Sequence, residues 1–168
     1  MLIDAGPRDQ RPVQSLPDYG VIYRGELLGT DVTIAGEVRV CLSVQSDCPD
    51  TDFIIKLIDL HPDGRAMLLM DGVTRAMYRD PSGKPRHLSP DRVEPLTINL
   101  GHIHHTFAAG HRLEIDVTSS NFPRRARNTN SGHAVLANDA DADIRVATNT
   151  IHHAQKTPSF VELPVLSQ

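Results

Sequence analysis

The sequence predicts an all-β protein, an antiparallel β-sandwich of jelly-roll type. Three observations predict this fold: short apolar runs recur along the 168 residues, turn residues separate them, and no segment sustains a 3.6-residue apolar repeat. Without crossover helices neighbouring strands pair antiparallel, and an apolar content of 39% suffices for a packed core between two sheets. We expect one domain at 19–168, preceded by a lead-in segment at 1–18.

The first strands follow in chain order from their hydrophobic patterns. EVRVCLSVQ (37–45) alternates apolar and polar residues, which predicts a strand with one buried face. FIIKLIDL (53–60) is almost continuously apolar, as expected for a strand covered on both faces. HPDG (61–64) then favours a turn, because proline presets its backbone φ angle and glycine accepts a positive one. We therefore expect a hairpin over 53–71.

The second half of the chain continues the pattern. Strands are predicted in PLTINL (95–100), HRLEIDVTS (111–119), DIRVATNTIHH (143–153) and SFVELPV (159–165). A single helical turn is expected near 90–93. The connecting loops are predicted at 46–52, 79–94 and 120–142. The last of these loops is long, which is typical of a functional segment or an interface.

Composition excludes several classes of partner. A net charge of −4 and a lack of interleaved aromatic and basic residues disfavour nucleic-acid binding. Cys41 and Cys48 lack a zinc-type spacing, and a strand thiol and a loop thiol are favoured over a disulfide. No apolar run approaches the roughly 18 residues of a membrane span. The first residues lack the order of a signal peptide, so we expect no membrane partner and a cytoplasmic location.

A serine-hydrolase site is suggested by Ser119, Ser120, His111 and Asp116, which lie close together in the sequence. In a strand, however, His111 and Ser119 are separated by about 26 Å, at ~3.3 Å per residue. The sequence also contains no G-x-S-x-G motif, which would place a nucleophile on a strained turn. We therefore assign no catalytic residue and no cofactor, and we interpret the serines as strand-end hydroxyls.

Local spacing does not assign a metal or anion site. HIHH places His102 and His104 on one strand face and His105 on the other, and two ligands rarely suffice for zinc. NDADAD (138–143) lacks the glycine and the glutamate of an EF-hand loop, so no metal ligand is assigned. The arginines at 124, 125 and 127 could hold a phosphate or carboxylate, pair with an acidic surface, or remain solvated.

Four segments together resemble one family. They are AGPRDQRPVQ (5–14), DTDFIIKLIDLHPDGRAMLLMDGVTRAMYR (50–79), GHRLEIDVTSSNFPRRARNTNSG (110–132) and HHAQKTPSFVELPVL (152–166). In this order they are similar to the C-terminal domain of CocE/NonD-type serine hydrolases. That group includes cocaine esterase-like enzymes, α-amino-acid ester hydrolases, glutaryl acylase-like proteins and X-Pro dipeptidyl-peptidases.

The resemblance implies a jelly roll of galactose-binding-like type that packs on an α/β-hydrolase catalytic domain, in the same chain or a separate one. It places the Ser-His-Asp triad in that other domain, so we expect no activity from this chain alone. The sandwich would help to wall the substrate pocket, and an exposed docking face could also drive self-association. The candidate structural or interface residues are His111, Arg112, Arg124, Arg127 and Asn128.

Two other functions remain open at this stage. One is a stand-alone module that binds a carbohydrate or another small ligand, which the lack of tryptophan weakens because sugars stack on aromatic rings. The other is a histidine-based metal protein.

Overall fold

The computed structural model describes residues 7–166, which form two four-stranded antiparallel sheets. Its regular elements are α1 (Arg11–Gln14), β1 (Val21–Arg24), β2 (Val32–Ser46), β3 (Asp52–Leu60), β4 (Ala66–Arg75), β5 (Glu94–Phe107), β6 (Arg112–Thr118), β7 (Asn149–His152) and β8 (Phe160–Glu162). Three short 3-10 helices cover Ala76–Tyr78, Leu136–Asn138 and Asp141–Asp143. In the described range no helix has the length and apolar character needed to cross a membrane.

The two sheets face each other across one apolar core. The first has the strand order β1-β6-β3-β4, and the second has the order β5-β2-β7, with β8 also paired to β2. The inward side chains of β2, β3 and β5 dominate the core, among them Val38, Val40, Val44, Phe53, Ile55, Leu57, Leu96 and Ile98. The predicted all-β sandwich is confirmed, and the galactose-binding-like subtype stays a prediction.

β2 and β5 are present and longer than predicted, whereas β6 and β8 are present but shorter than the predicted segments at 111–119 and 159–165. In β2 the residues at 38, 40, 42 and 44 are at most 5% exposed, as the period-2 pattern requires. β5 continues from the predicted segment at 95–100 through the histidines, and His102 and His104 are exposed along it. β3 and β4 form the predicted hairpin around the turn at 61–64. Cys41 lies in β2 and Cys48 in the following loop, and both are free thiols.

Two further predicted elements differ more strongly from the structure. Only Asn149–His152 of the predicted strand at 143–153 pairs with β2, because the backbone before it bonds to loops instead. Arg145 N donates to Thr129 O over 2.9 Å, and Thr148 N donates to the Asp47 side chain over 2.8 Å. The helical turn expected at 90–93 is a single hydrogen-bonded turn and no helix forms there.

The lead-in segment covers the outer face of the first sheet, which explains why β3 is buried on both faces. Gln10 N donates to Ala66 O over 2.7 Å, which fixes the segment along the start of β4. Lys56 of β3 is buried beneath it and donates from Nζ to Gln10 Oε1 at 2.9 Å and to Tyr19 Oη at 3.0 Å. The boundary at residue 18 stays a prediction, and positions 1–6 of the lead-in lie outside the described residues.

Buried acids on β6 attach the same segment. Tyr19 donates its hydroxyl to Asp116 Oδ2 at 2.7 Å, and Gln14 Nε2 donates to Glu114 Oε1 at 2.7 Å and to Asp116 Oδ2 at 3.0 Å. Arg24 Nε donates to Glu114 Oε2 at 2.5 Å. Burial raises the pKa of Asp116 and lowers the pKa of Lys56. Since buried charges are tolerated only when they are paired, this network holds the lead-in on the sheet.

Replacing Tyr19 by Phe is therefore expected to destabilise the domain. The substitution keeps the ring but leaves Asp116 without one of its donors, which costs about 1–3 kcal/mol of unfolding free energy. Urea denaturation measures this loss. Tyr78→Phe is the control, because the Tyr78 ring is partly exposed and its hydroxyl has no hydrogen-bond partner in the described part of the chain. Equal stabilities of the two variants would contradict this role of Tyr19.

Candidate functional site

Residues 119–148 form the long connection from β6 to β7. We call this connection the long loop. It leaves β6 at the end where Thr118 pairs with Ile54, and it returns at Asn149, which pairs with Ser46. The loop therefore covers the end of the sandwich where β3 begins. The opposite end carries the turn at 61–64.

Asp50 is the first anchor of the long loop. Its carboxylate is fully buried and accepts hydrogen bonds from three segments. Met77 N donates to Oδ1 at 2.9 Å, while Arg75 Nε and Asn128 Nδ2 donate to Oδ2 at 2.5 and 3.1 Å. Asn128 also donates to Asp52 Oδ1 at 2.7 Å, and burial raises the pKa of Asp52. One side-chain amide of the long loop thus donates hydrogen bonds to two carboxylates at the start of β3.

Asp139 is the second anchor and organises the loop internally. Its carboxylate accepts hydrogen bonds from Ser131 Oγ at 2.6 Å, from the Thr129 hydroxyl, and from His133 Nδ1 at 2.7 Å. These hydrogen bonds lower the pKa of Asp139 to about 2. The carboxylate therefore stays ionised, and the segment at 129–133 is wrapped around it.

Gly132 brings this wrapped segment against the body of the domain. Its φ is +85°, in the left-handed region that favours glycine. A Cβ at this position would lie 2.9 Å from Cγ of Pro49 and 3.2 Å from Nε2 of His87, so a side chain does not fit. The close approach lets the His87 ring bond to the Gly132 carbonyl at 2.8 Å.

Apolar side chains face solvent from the anchored loop. Phe122, Val135, Ile144 and Val146 are 68%, 57%, 46% and 93% exposed. Tyr78, beside the loop, is 39% exposed, and the Arg75 guanidinium stacks 5.4 Å from its ring centre. Arg75 also donates to the carbonyls of residues 133 and 134, so Tyr78 lies next to the loop segment that carries Val135. Several exposed apolar side chains on one anchored loop make this loop a candidate interaction surface.

The predicted arginine cluster does not act as one unit. Arg124 Nη2 lies 3.1 Å from Asp71 Oδ1, which ties the first arm of the loop to β4. Arg127 is exposed and has no hydrogen-bond or ionic partner within residues 7–166, so it is available to a further partner. Asn128 belongs to the Asp50 anchor described above.

His111 and Arg112, which the sequence grouped with these residues, lie at the opposite end of β6. His111 Nδ1 is 2.7 Å from Asp59 Oδ1, and Arg112 Nη1 donates to Gly25 O at 3.0 Å. The structure therefore splits the candidate residues into two groups. The partners Asp59, His61 and His105 of the second group were missed, because they come from separate stretches of chain.

The serines of the same stretch bond to the first residue of β7 and to the loop backbone. Ser119 Oγ accepts from Asn149 Nδ2 at 3.1 Å, and Ser120 Oγ accepts from Phe122 N at 3.5 Å. Between residues 7 and 166 no serine hydroxyl bonds to a histidine ring. The stretch thus connects chain segments to one another.

An apolar cleft of about 450 Å³ opens between the sheets on another side of the domain. Tyr23 and His153 bridge its rim, with their Oη and Nε2 atoms 2.9 Å apart, and burial raises the pKa of Tyr23. The lining also includes Val40, Leu42, Ile115, Val117, Ser159, Phe160 and Val161. Most of these side chains belong to the inward faces of the sheets.

With this geometry in place, comparison with known proteins identifies the family. Residues 9–162 match the model of the X-Pro dipeptidyl-peptidase C-terminal non-catalytic domain. The chain belongs to this family. It is 37% identical over 165 residues to a cocaine esterase of Rhodococcus sp. (strain MB1 Bresler), covering 98% of this chain and 28% of the esterase. The resemblance read from the sequence motifs is confirmed.

Solved structures of relatives contain the same fold. An α-amino acid ester hydrolase superposes with a TM-score of 0.89 at 28% identity, covering 95% of this chain and 27% of that one. An aminopeptidase from a marine sediment Thaumarchaeota archaeon gives a TM-score of 0.87 at 28% identity, covering 96% and 28%. The chain thus spans little more than a quarter of the length of these relatives.

The two neighbouring residues Arg127 and Asn128 allow a matched test of the anchor. Asn128→Ala is expected to lower the unfolding free energy by about 1–3 kcal/mol, because Asp50 and Asp52 each lose a buried donor. Arg127→Ala is expected to leave it unchanged, because its side chain is solvated. Thermal and urea unfolding of both variants distinguish these outcomes. Loss of stability in the Arg127 variant alone would contradict the anchoring scheme.

Proposed function

We propose that this non-catalytic domain docks through the outer surface of the long loop onto an α/β-hydrolase catalytic domain and helps to wall its substrate pocket. The observation that carries the proposal is the apolar outer surface at Phe122, Val135, Ile144 and Val146 on a loop fixed by buried polar anchors. A loop that is held in shape while exposing apolar groups loses little conformational entropy on binding. Such a loop is therefore well suited to a permanent interface.

The other faces of the domain are less suited to this role. The outer face of the first sheet is already covered by the lead-in segment, including the buried side chain of Gln10. The second sheet presents polar groups outward, such as Arg39, His102 and His104. Further exposed apolar side chains are dispersed over the lead-in, the β1–β2 connection and the C-terminal segment. The long loop is thus the favoured contact surface.

Charge adds a second feature to the proposed interface. Arg125 and Arg127 are exposed on the long loop, next to Phe122 in the chain. A loop that exposes both apolar side chains and guanidinium groups matches a partner surface that carries apolar groups and carboxylates, because charges at an interface guide orientation and association. We therefore expect carboxylates on the catalytic domain opposite these arginines.

The relatives support the nature of the partner. Their names describe an esterase, an ester hydrolase and an aminopeptidase, and each extends well beyond the part that matches this chain. We infer that the catalytic domain lies in the same polypeptide and hydrolyses an ester or amide bond. Self-association and a cytoplasmic location stay predictions from the sequence.

A stand-alone carbohydrate or small-ligand module has less support. The apolar cleft has a suitable volume, but among the described residues that line it only Tyr23 and Phe160 carry benzene-type rings, and the Tyr23 hydroxyl is bonded to His153. Sugar recognition favours open aromatic platforms. The cleft therefore lacks the groups that would orient such a ligand.

Val146→Asp tests the docking surface directly. The hydrolase domain encoded with this chain is expressed separately, mixed with residues 1–168, and the dissociation constant is measured by calorimetry. The substitution is expected to raise Kd by more than about tenfold, a change of 1.4 kcal/mol, because a carboxylate would be desolvated against apolar surface.

Leu27→Asp is the matched control. Leu27 is 59% exposed and lies at the opposite end of the sandwich, beside Leu60 and Arg112. Its substitution is expected to leave Kd unchanged. Equal effects of the two substitutions, or no binding by the native chain, would contradict the proposal.

A further inference from the structure

At the end of the sandwich opposite the long loop, three histidine rings converge on one buried carboxylate. Asp59 of β3 is 4% exposed. His111 Nδ1 lies 2.7 Å from its Oδ1, and His105 Nε2 and His61 Nε2 lie 3.1 and 3.9 Å from its Oδ2. The rings of His61 and His111 are 4.3 Å apart. We call these four side chains the histidine cluster.

We propose that the histidine cluster is a binding site for a divalent transition metal of the zinc type, with Asp59, His61 and His111 as ligands and His105 as the fourth. Imidazole nitrogen and carboxylate oxygen are typical zinc ligands, and four of them complete a tetrahedral structural site. This metal site is independent of the proposed docking function.

The spacing of the donor atoms fits such a site. Zinc bonds to these atoms measure about 2.1 Å, so neighbouring ligand atoms in a tetrahedron are separated by about 3.4 Å. His105 Nε2 and His61 Nε2 lie 3.1 and 3.9 Å from the same oxygen, Asp59 Oδ2, on either side of that value, whereas His111 Nδ1 lies 2.7 Å from the other oxygen, Oδ1. One donor atom from each of Asp59, His61 and His111 falls within 4.8 Å of the others. Small side-chain rotations would close these three donors around an ion, and the His105 ring, which lies outside that group of three, would turn toward them to complete the coordination sphere.

Access and charge are also suitable. The side chains of His61, His105 and His111 are 24%, 26% and 16% exposed, so an ion can enter from solvent while Asp59 remains shielded. Arg65 Nη2 lies 3.4 Å from His61 Nδ1, but Arg65 is bound more closely by Asp63, at 2.7 Å. That ion pair offsets the charge of the guanidinium group. When the Arg65 side chain turns away from His61, the Nδ1 atom of His61 is free to carry the ring proton.

A bound ion would join separate parts of the fold. Asp59 and His61 belong to β3 and the following turn of the first sheet, His105 belongs to β5 of the second sheet, and His111 precedes β6. The ion would therefore cross-link the two sheets at the end away from the long loop. Metal binding to the folded state alone raises stability, and the gain grows with metal concentration.

The test uses the untagged chain and ZnCl2, because a histidine tag would bind zinc itself. Calorimetry and metal analysis after gel filtration are expected to show one Zn²⁺ per chain, and the melting temperature is expected to rise with added zinc. Single His61→Ala and His105→Ala variants are expected to weaken zinc binding by more than about tenfold. Loss of a residue that only hydrogen-bonds to a metal ligand already costs about this much affinity.

The matched control is the double variant His102→Ala with His104→Ala, which removes two exposed histidines of β5 and is expected to bind zinc normally. Far-UV circular dichroism confirms that each variant is folded, and His61 and His105 are partly exposed, so their loss spares the core. Absence of stoichiometric binding by the native chain would overturn the proposal. So would binding that survives loss of His61 and His105 but fails in the double variant.

Discussion

The buried carboxylate of Asp50 is the contact on which the long-loop end of the domain depends. A charge without access to water persists only when its oxygens are bonded, and Asp50 is satisfied by Arg75, Met77 and Asn128. These donors come from β4, the 3-10 helix after it and the long loop. Burial of the Asp50 side chain thus requires these three segments to pack around it. The exposed apolar groups of the long loop are held in a defined shape as a result.

The same device recurs elsewhere in the molecule. Glu114 and Asp116 on β6 bind the lead-in segment, and Asp59 on β3 gathers the histidine cluster at the far end. The two sheets supply a conventional apolar core, while buried acids attach the segments that the sheets do not include. In this non-catalytic domain most polar residues of the 110–132 stretch therefore attach chain segments to one another, while the side chains of Arg125 and Arg127 stay exposed. Its serines, histidine and asparagines resemble a catalytic set only in sequence.

The sequence predicted the sandwich because its signals are local: period-2 alternation in β2 and the Pro-Asp-Gly turn after β3 need no distant partner. Long motifs shared with the CocE/NonD group also predicted the family to which the chain belongs. The hydrogen bonds of the buried acids could not be predicted, because their partners are far away in the sequence. The residues that bind Glu114 and Asp116 lie 90 to 102 positions earlier in the chain. The histidine cluster escaped for the same reason. The prediction of a strand at 143–148 was wrong, because an alternating apolar pattern cannot show that the backbone there bonds to loops.

Hydrogen–deuterium exchange of this chain, with and without the proposed hydrolase partner domain, tests the central claim most directly. Docking through the long loop predicts added protection at the amides around 122 and 134–147, where the apolar groups are exposed. Amides near 25–31 and 61–65, at the opposite end, should exchange equally in both samples. Protection at the opposite end with none in the long loop would contradict the account.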